Sequence, residues 1–232
     1  LPTLASRGAV KGKKVAIIGG GPAGLSAASF LSRAGIEVVV FERTNKLGGI
    51  VRHVIPGFRI SEEAIDNDVK LCQAYGATFN TGVEVKDVNA LLAEDYTDVV
   101  VAIGAWAPGR KTLKSGEALD ALEFLEEFKR APESVDLGTD VVVIGAGNTA
   151  MDVARAAKRV SGVQNVRLVY RRTKRYMPAD EEELQMAIDD GVEFMELLAP
   201  GDLANNQLTC EVMKLGAPDE SGRRRPEGTG EF

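Results

Sequence analysis

Hydrophobic residues in this chain gather into short unbroken runs, separated by stretches in which apolar positions recur every three or four residues. Lys13 to Ile18, Glu37 to Phe41, Thr97 to Gly104, Asp140 to Ile144 and Val166 to Tyr170 carry runs of strand length. A run without polar alternation fits a strand covered on both faces, as in a parallel sheet. Helical spacing predicts helices over Leu25 to Arg33, Glu62 to Tyr75, Val88 to Ala93, Glu117 to Arg130 and Met151 to Arg159. Ser61 supplies a cap for the second of these and Gly76 its stop, while Gly35 ends the first. Leu119, Leu122, Phe124, Leu125 and Phe128 give the fourth an apolar stripe. A further helix is expected after Asp180 as its cap, opened by Glu181, Glu182 and Glu183 and closed by Gly191. Thr78 to Val85, Val192 to Leu198 and Leu208 to Leu215 are β-like. Strands alternating with helices predict an α/β fold.

The intervening stretches have their own character. Residues 43–60 show no period and hold Gly48, Gly49, Pro56 and Gly57, which predicts a loop long enough to be functional. Trp106 to Gly116 is expected as a loop with Pro108 and Gly109, and the Gly, Pro, Arg and Glu tail from Ala217 as a hairpin loop or disordered end.

Where the first strand meets the first helix, Gly19, Gly21 and Gly24 form G-x-G-x-x-G, with Pro22 and Ala23 inside the motif. The first glycine allows the tight turn, the second lets a pyrophosphate approach the backbone, and the third lets helix and strand pack closely. The helix start adds free N–H groups and a positive dipole end. The next strand ends in Glu42, about 20 residues on, where an acid can accept from a ribose hydroxyl. The pattern then returns: the strand before Gly145 is followed by Gly145, Ala146, Gly147, Asn148, Thr149 and Ala150, with alanine as the third small residue. Two copies, each between a predicted strand and a predicted helix, make a chance glycine turn improbable. They differ at the second strand end. The later copy has Arg171 and Arg172 there, with Arg175 nearby and no acid. Guanidinium groups at that position suit a 2′-phosphate, so the second site is expected to take NADP(H). The bland alternative is a solvated basic face. The first site then needs another dinucleotide, and FAD is the natural partner.

Composition narrows the classes. The chain has 232 residues, 44% hydrophobic and 27% charged, with a net charge of −6. This is ordinary globular composition, and the negative balance argues against nucleic acid as a partner. No apolar run is long enough for a membrane-spanning helix, and no signal-peptide pattern opens the chain. Two cysteines far apart, Cys72 and Cys210, give neither a C-x-x-C pair nor a four-cysteine iron–sulfur or zinc site, and a cytoplasmic setting is expected. Both read as buried small apolar residues. The lone histidine, His53, is expected as a surface loop residue, although a proton relay is open to it. Trp106 reads first as packing, with flavin or nicotinamide contact as the alternative. The chain opens on Leu1 rather than Met and is expected to be a piece of a longer protein.

Taken together, Gly19 to Gly24, Phe41-Glu42-Arg43, Leu47-Gly48-Gly49-Ile50, Ile55-Pro56-Gly57-Phe58-Arg59, Ala102-Ile103-Gly104-Ala105, Gly145 to Asp152, and Tyr170-Arg171-Arg172 with Met177-Pro178-Ala179 resemble one group. It is the NADPH-dependent flavoprotein family of the glutamate synthase small (β) subunit, which includes the corresponding module of dihydropyrimidine dehydrogenase and other iron–sulfur-linked electron-input subunits. The resemblance runs from about Lys13 to Leu198. It implies an α/β, pyridine nucleotide-disulfide oxidoreductase-like fold with two Rossmann-like dinucleotide-binding units, the NADP unit following a partial FAD unit. The FAD domain would span 1–110, lacking its closing Gly-Asp segment, and the NADP(H) domain 111–232, joined by linkers near residues 105–115 and beyond Leu215.

The resemblance also implies residue roles. Gly19, Gly21, Pro22, Ala23 and Gly24 would hold the FAD pyrophosphate, and Glu42, beside Arg43, the adenosine ribose. Gly49, Ile50 and Arg59 would lie along the FAD, Val85 would meet the adenine by its backbone, and Ala102-Ile103-Gly104 would close over the flavin side. Gly145, Ala146, Gly147, Asn148 and Thr149 would hold NADPH phosphates, with Arg171, Arg172 and Arg175 on the 2′-phosphate. The implied function is electron input: NADPH reduces FAD, and electrons pass to iron–sulfur clusters or a large catalytic subunit. The alternatives are a free-standing ferredoxin-reductase-like or disulfide-reductase-type flavoprotein, and a flavin-free nucleotide-binding module.

Overall fold

A computed structural model describes residues 9–106, 113–220, 222 and 224–232. The chain divides into two compact units, Leu1–Ala107 and Pro108–Phe232. The expected loop residues Pro108 and Gly109, and the expected boundary at 110, lie outside the described residues.

The first unit is a four-stranded parallel sheet in the order β3-β2-β1-β4. Its strands are β1 (Lys14–Ile18), β2 (Glu37–Glu42), β3 (Thr78–Thr81) and β4 (Asp98–Val101). Its helices are α1 (Pro22–Arg33), α2 (Gly49–His53), α3 (Glu62–Ala74) and α4 (Val88–Ala93). Alternate residues of β1 feed two cores. Val15 and Ile17 pack with Leu25, Ala28, Val38, Val40 and Cys72 on one side. Ala16 and Ile18 pack with Leu91 on the other. This two-sided burial is what an unbroken apolar run encodes. α1 starts three residues earlier than its apolar spacing predicted, because Pro22 sits at the first helical position with Gly21 as N-cap. Ser61 caps α3 as expected, its hydroxyl accepting from the Ala64 amide at 3.2 Å.

Several expectations are corrected. The aperiodic stretch 43–60 contains the short helix α2, which five residues cannot announce by periodicity. β3 ends at Thr81 rather than Val85, since Gly82 turns the chain with a positive φ of 72°.

In the second unit β5 (Asp140–Ile144), β6 (Asn165–Tyr170) and β7 (Glu193–Glu196) form a parallel sheet in that order. Helices α5 (Ala121–Arg130), α6 (Asn148–Ala157) and α7 (Glu181–Asp189) accompany it. α5 begins after Asp120, whose side chain accepts from the amides of Leu122 and Glu123, so Leu119 falls outside the helix and is exposed. Asp180 occupies the N-cap of α7, but its side chain makes no capping bond.

Of the two readings of the tail, the hairpin stands: its described residues 224–228 form a strand antiparallel to the one before. β8 (Leu198–Ala204), β9 (Gln207–Pro218) and β10 (Arg224–Gly228) form an antiparallel sheet. Asn205 and Asn206 join β8 to β9 with φ of 48° and 59°, the conformation a two-residue hairpin turn of the primed type needs.

Candidate cofactor sites

The first site lies at the carboxyl ends of β1, β2 and β4, where an open α/β sheet binds its ligand. A cleft of about 620 Å³ opens there. Of the sequence-predicted residues, Gly19, Gly21, Pro22, Ala23, Glu42, Arg43, Gly49, Ile50, Val85 and Gly104 line it. Gly24 and Arg59 do not. Gly24 lies beneath the turn, where an added Cβ would stand 1.9 Å from the Gly19 carbonyl oxygen. That is the close packing its position in the motif requires. Arg59 is exposed beyond α2. Gly19 has a φ of +106°, and a Cβ on it would sit 2.3 Å from the Ala102 oxygen.

The aperiodic loop is tied to the glycine turn. The Gly48 amide donates to the Gly20 oxygen at 2.8 Å. Gly49, at φ +54°, approaches so closely that a Cβ on it would lie 2.8 Å from the Gly21 Cα. A cradle this shallow, with the first amides of α1 lacking helical partners, fits a pyrophosphate.

Glu42 is buried, and its carboxylate already has work within the chain. One oxygen accepts from the Gly20 amide at 2.7 Å; the other accepts from the Thr44 amide at 2.8 Å and the Thr44 hydroxyl at 2.9 Å. A carboxylate offers about four lone-pair sites. Capacity therefore remains for one ribose hydroxyl rather than for both.

Phe41, Val83 and Glu84, given no role from the sequence, also line the cleft, as do His53 and Trp106, for which a place beside the cofactor was the alternative reading. The Arg43 guanidinium lies 5.1 Å from the Trp106 ring centroid, a cation–π pair between the ends of β2 and β4. His53 Nε2 stands 3.3 Å from the Thr44 hydroxyl and 3.4 Å from the Lys46 carbonyl, so it belongs to the cleft wall and not to a bare surface loop. Arg52, absent from every expectation, is buried. No periodicity could have marked it, because its carboxylate partners come from a helix ten or more residues away.

The second site is built alike but fits less tightly. The Gly145 amide donates to the Val169 oxygen at 3.0 Å as the chain turns off β5. Gly145 has a φ of +128°, yet a Cβ there would meet only Ala150 Cβ, at 3.8 Å. Gly147 caps α6, and a Cβ on it would lie 3.9 Å from Pro178. The Met177-Pro178-Ala179 stretch braces the turn: the Ala179 amide donates to the Ala146 oxygen at 3.0 Å, and the Asp180 amide to Asn148 Oδ1 at 3.3 Å.

Arg171, Arg172 and Arg175 share one loop beyond β6. The Tyr170 hydroxyl pins that loop by donating to the Tyr176 oxygen at 2.8 Å. Arg171 and Arg175 are exposed, whereas Arg172 is half-buried and donates from Nε to the Arg224 oxygen at 3.3 Å. The position of β10 thus reaches the basic loop, a link the reading of the tail as loop had concealed.

A model of the pyridine nucleotide-disulphide oxidoreductases matches residues 13–206. The chain belongs to that family. It is 46% identical over 221 residues to YgfK of Escherichia coli O157:H7, covering 94% of this chain and 21% of that one. It is 39% identical to the NADP(+)-dependent formate dehydrogenase subunit beta of Moorella thermoacetica, covering 93% and 32%. It is 35% identical to the glutamate synthase [NADPH] small chain of Escherichia coli K12, covering 93% and 50%. The resemblance to the glutamate synthase small subunit is therefore borne out, and the chain spans between about a fifth and a half of these relatives. Among solved structures, FprA of Mycobacterium tuberculosis, in a point-mutant form, superposes with a TM-score of 0.77 at 23% identity, covering 94% of this chain and 68% of that one. Thioredoxin reductase of T. acidophilum superposes with a TM-score of 0.57 at 20% identity, covering 94% of this chain and 74% of that one. These likenesses show the fold. The chain is thus a member of the pyridine nucleotide-disulphide oxidoreductase family related to the glutamate synthase small subunit. Cys72 of this member is buried with its thiol facing the Leu25 oxygen at 3.4 Å. Among the described residues no helix is long and apolar enough to cross a membrane.

Proposed function

We propose that the chain is an electron-input module. NADPH at the Gly145–Thr149 turn reduces FAD held at the Gly19–Gly24 turn, and the electrons pass on to iron–sulfur clusters or a partner subunit. The observation that carries this reading is the contrast between two equivalent strand ends. One presents the buried acid Glu42, and the other presents Arg171, Arg172 and Arg175.

Each residue then has a physical task. The turn glycines bring backbone N–H groups against a pyrophosphate, and the start of α1 adds its dipole. Glu42, oriented by Gly20 and Thr44, accepts one ribose hydroxyl. Gly49 and Ile50 wall the cleft. In the second unit the arginine loop offers guanidinium donors to a 2′-phosphate, which NADH lacks. Bound FAD would supply the two-electron acceptor for the hydride of NADPH. The domain reading follows, with FAD assigned to residues 1–110 and NADP(H) to 111–232. Onward transfer is supported by two relatives whose names make them subunits of larger enzymes, the formate dehydrogenase beta subunit and the glutamate synthase small chain.

Calorimetric titration tests the assignment. FAD and 2′,5′-ADP should bind independently, each at one site. Competition between the two for a single site, or no binding of FAD, contradicts it and favours a flavin-free nucleotide module.

A further inference from the structure

We propose that Arg52 is a positioning residue that sets dinucleotide affinity at the first glycine turn, acting through the loop that walls the cleft. The proposal rests on the reading of that cleft as the FAD site.

Arg52 lies on α2 between two groups of cleft residues, yet does not line the cleft itself. Its side chain is 6% exposed. The guanidinium faces the other way and makes bonds in three directions. Nε donates to the Leu47 oxygen, one terminal nitrogen to Glu62, and the other to Asp66 at 2.5 Å. Leu47 lies in the loop ahead of α2, while Glu62 and Asp66 belong to α3. One planar group thus joins α2 and the loop before it to a helix that packs against α1.

Such a group is a poor device for stability alone. Burying a guanidinium carries a desolvation cost, and an apolar side chain of like volume is commonly as stabilising. What the fork adds is fixed geometry that a flexible ammonium cannot supply. Geometry matters here because the loop has no slack. Gly48 is bonded to Gly20, and Gly49 approaches Gly21 to within one methyl group. A small drift of the loop closes or widens the cradle, and a misplacement of about 1 Å near a reacting centre can cost about a hundredfold in rate. Glu62 and Asp66 are themselves half-exposed, so water can serve them when Arg52 is replaced. The substitution therefore loosens the loop without stranding buried charge.

Hydrogen exchange on the ligand-free protein and FAD titration test the proposal together. In Arg52→Met the amides of Gly48 to Val54 should exchange about tenfold faster, with those of β1 and α1 unchanged, and FAD should bind about tenfold more weakly. Arg52→Lys should restore neither in full. Unchanged exchange in the loop overturns the proposal. So does a uniform rise across the first unit with unaltered FAD affinity, the signature of a purely structural role. A wild-type protein that binds no FAD contradicts the underlying reading instead, and the wild-type titration alone reveals it.

Discussion

The two glycine turns share one design and differ in tolerance. At the first, three positions admit nothing larger than glycine: Cβ atoms at Gly19, Gly24 and Gly49 would meet backbone at 2.3, 1.9 and 2.8 Å. At the second, Gly145 is required by its φ alone, and the position matching Gly24 is occupied by Ala150. The first turn is clamped from above by the α2 loop, while the second is braced from the side by Pro178 and Ala179. A tight cradle suits a cofactor that stays, and a looser one a nucleotide that must leave after each turnover. The charge at the strand ends follows the same division, a buried acid against three arginines of which two are exposed.

Gly24→Ala should break the comparison hardest. A methyl group cannot coexist with the Gly19 oxygen, so the first unit should lose about 3 kcal/mol or more, read by chemical denaturation. The reverse change in the second unit, Ala150→Gly, should cost only about 1 kcal/mol, the penalty of glycine in a helix. Similar losses at both would mean that the two turns are packed alike.

Replacing Arg171 and Arg172 together by alanine should lower kcat/KM for NADPH by about a hundredfold, from lost charge-assisted bonds, and leave NADH within about threefold. Equal losses with both nucleotides would return the loop to a solvated basic face.

Gly21→Ala should weaken FAD binding with little change in folding, because a Cβ there meets only Gly49 Cα, at 3.7 Å, and otherwise projects into the cleft. We expect about a tenfold rise in Kd by fluorescence titration, the effect of displacing a bound pyrophosphate slightly. Gly147→Ala should do the same to NADPH, and less.

The smallest expected effect concerns how each unit ties its helices. The first uses buried Arg52 between two carboxylates; the second uses one carboxylate, Asp190, between Arg159 and Arg155, each at 2.7 Å. The bond from Arg159 is the largest influence on the Asp190 carboxyl; burial opposes it, and the smaller effect of the bond from Arg155 adds to it, so the group lies below the usual aspartate range. A depressed folded value gives stability that is present above the unfolded value and lost as pH falls through the folded one. Asp190→Asn should therefore cost about 1 kcal/mol at pH 7, solvent screening included. Its deficit against wild type should close below about pH 4 in acid denaturation.

The parallel sheets and both glycine turns were legible because unbroken apolar runs and glycine spacing are local signals. Glu42 and the arginine triplet were legible for the same reason, standing at the ends of such runs. What escaped was non-local. α2 is too short for a period, and the α5 boundary depended on Asp120 capping ahead of Leu122. β8 and β10 carry little alternation, since Pro200 and a register shift interrupt the first and Pro226 the second. Arg52 and the Thr44–His53 contact were invisible because their partners are set by how the loop folds back. Trp106 became a cleft residue only when β4 placed it opposite Arg43.

The most direct measurement is anaerobic titration of the flavin-loaded protein with NADPH and with NADH, followed by the flavin's visible absorbance. The account predicts complete loss of that absorbance at one equivalent of NADPH, slow reduction by NADH, and near-equal rates with the two nucleotides once Arg171 and Arg172 are alanine. Flavin that stays oxidised under NADPH, or wild-type rates that do not distinguish the two nucleotides, would contradict the assignment of FAD to the first turn and NADPH to the second.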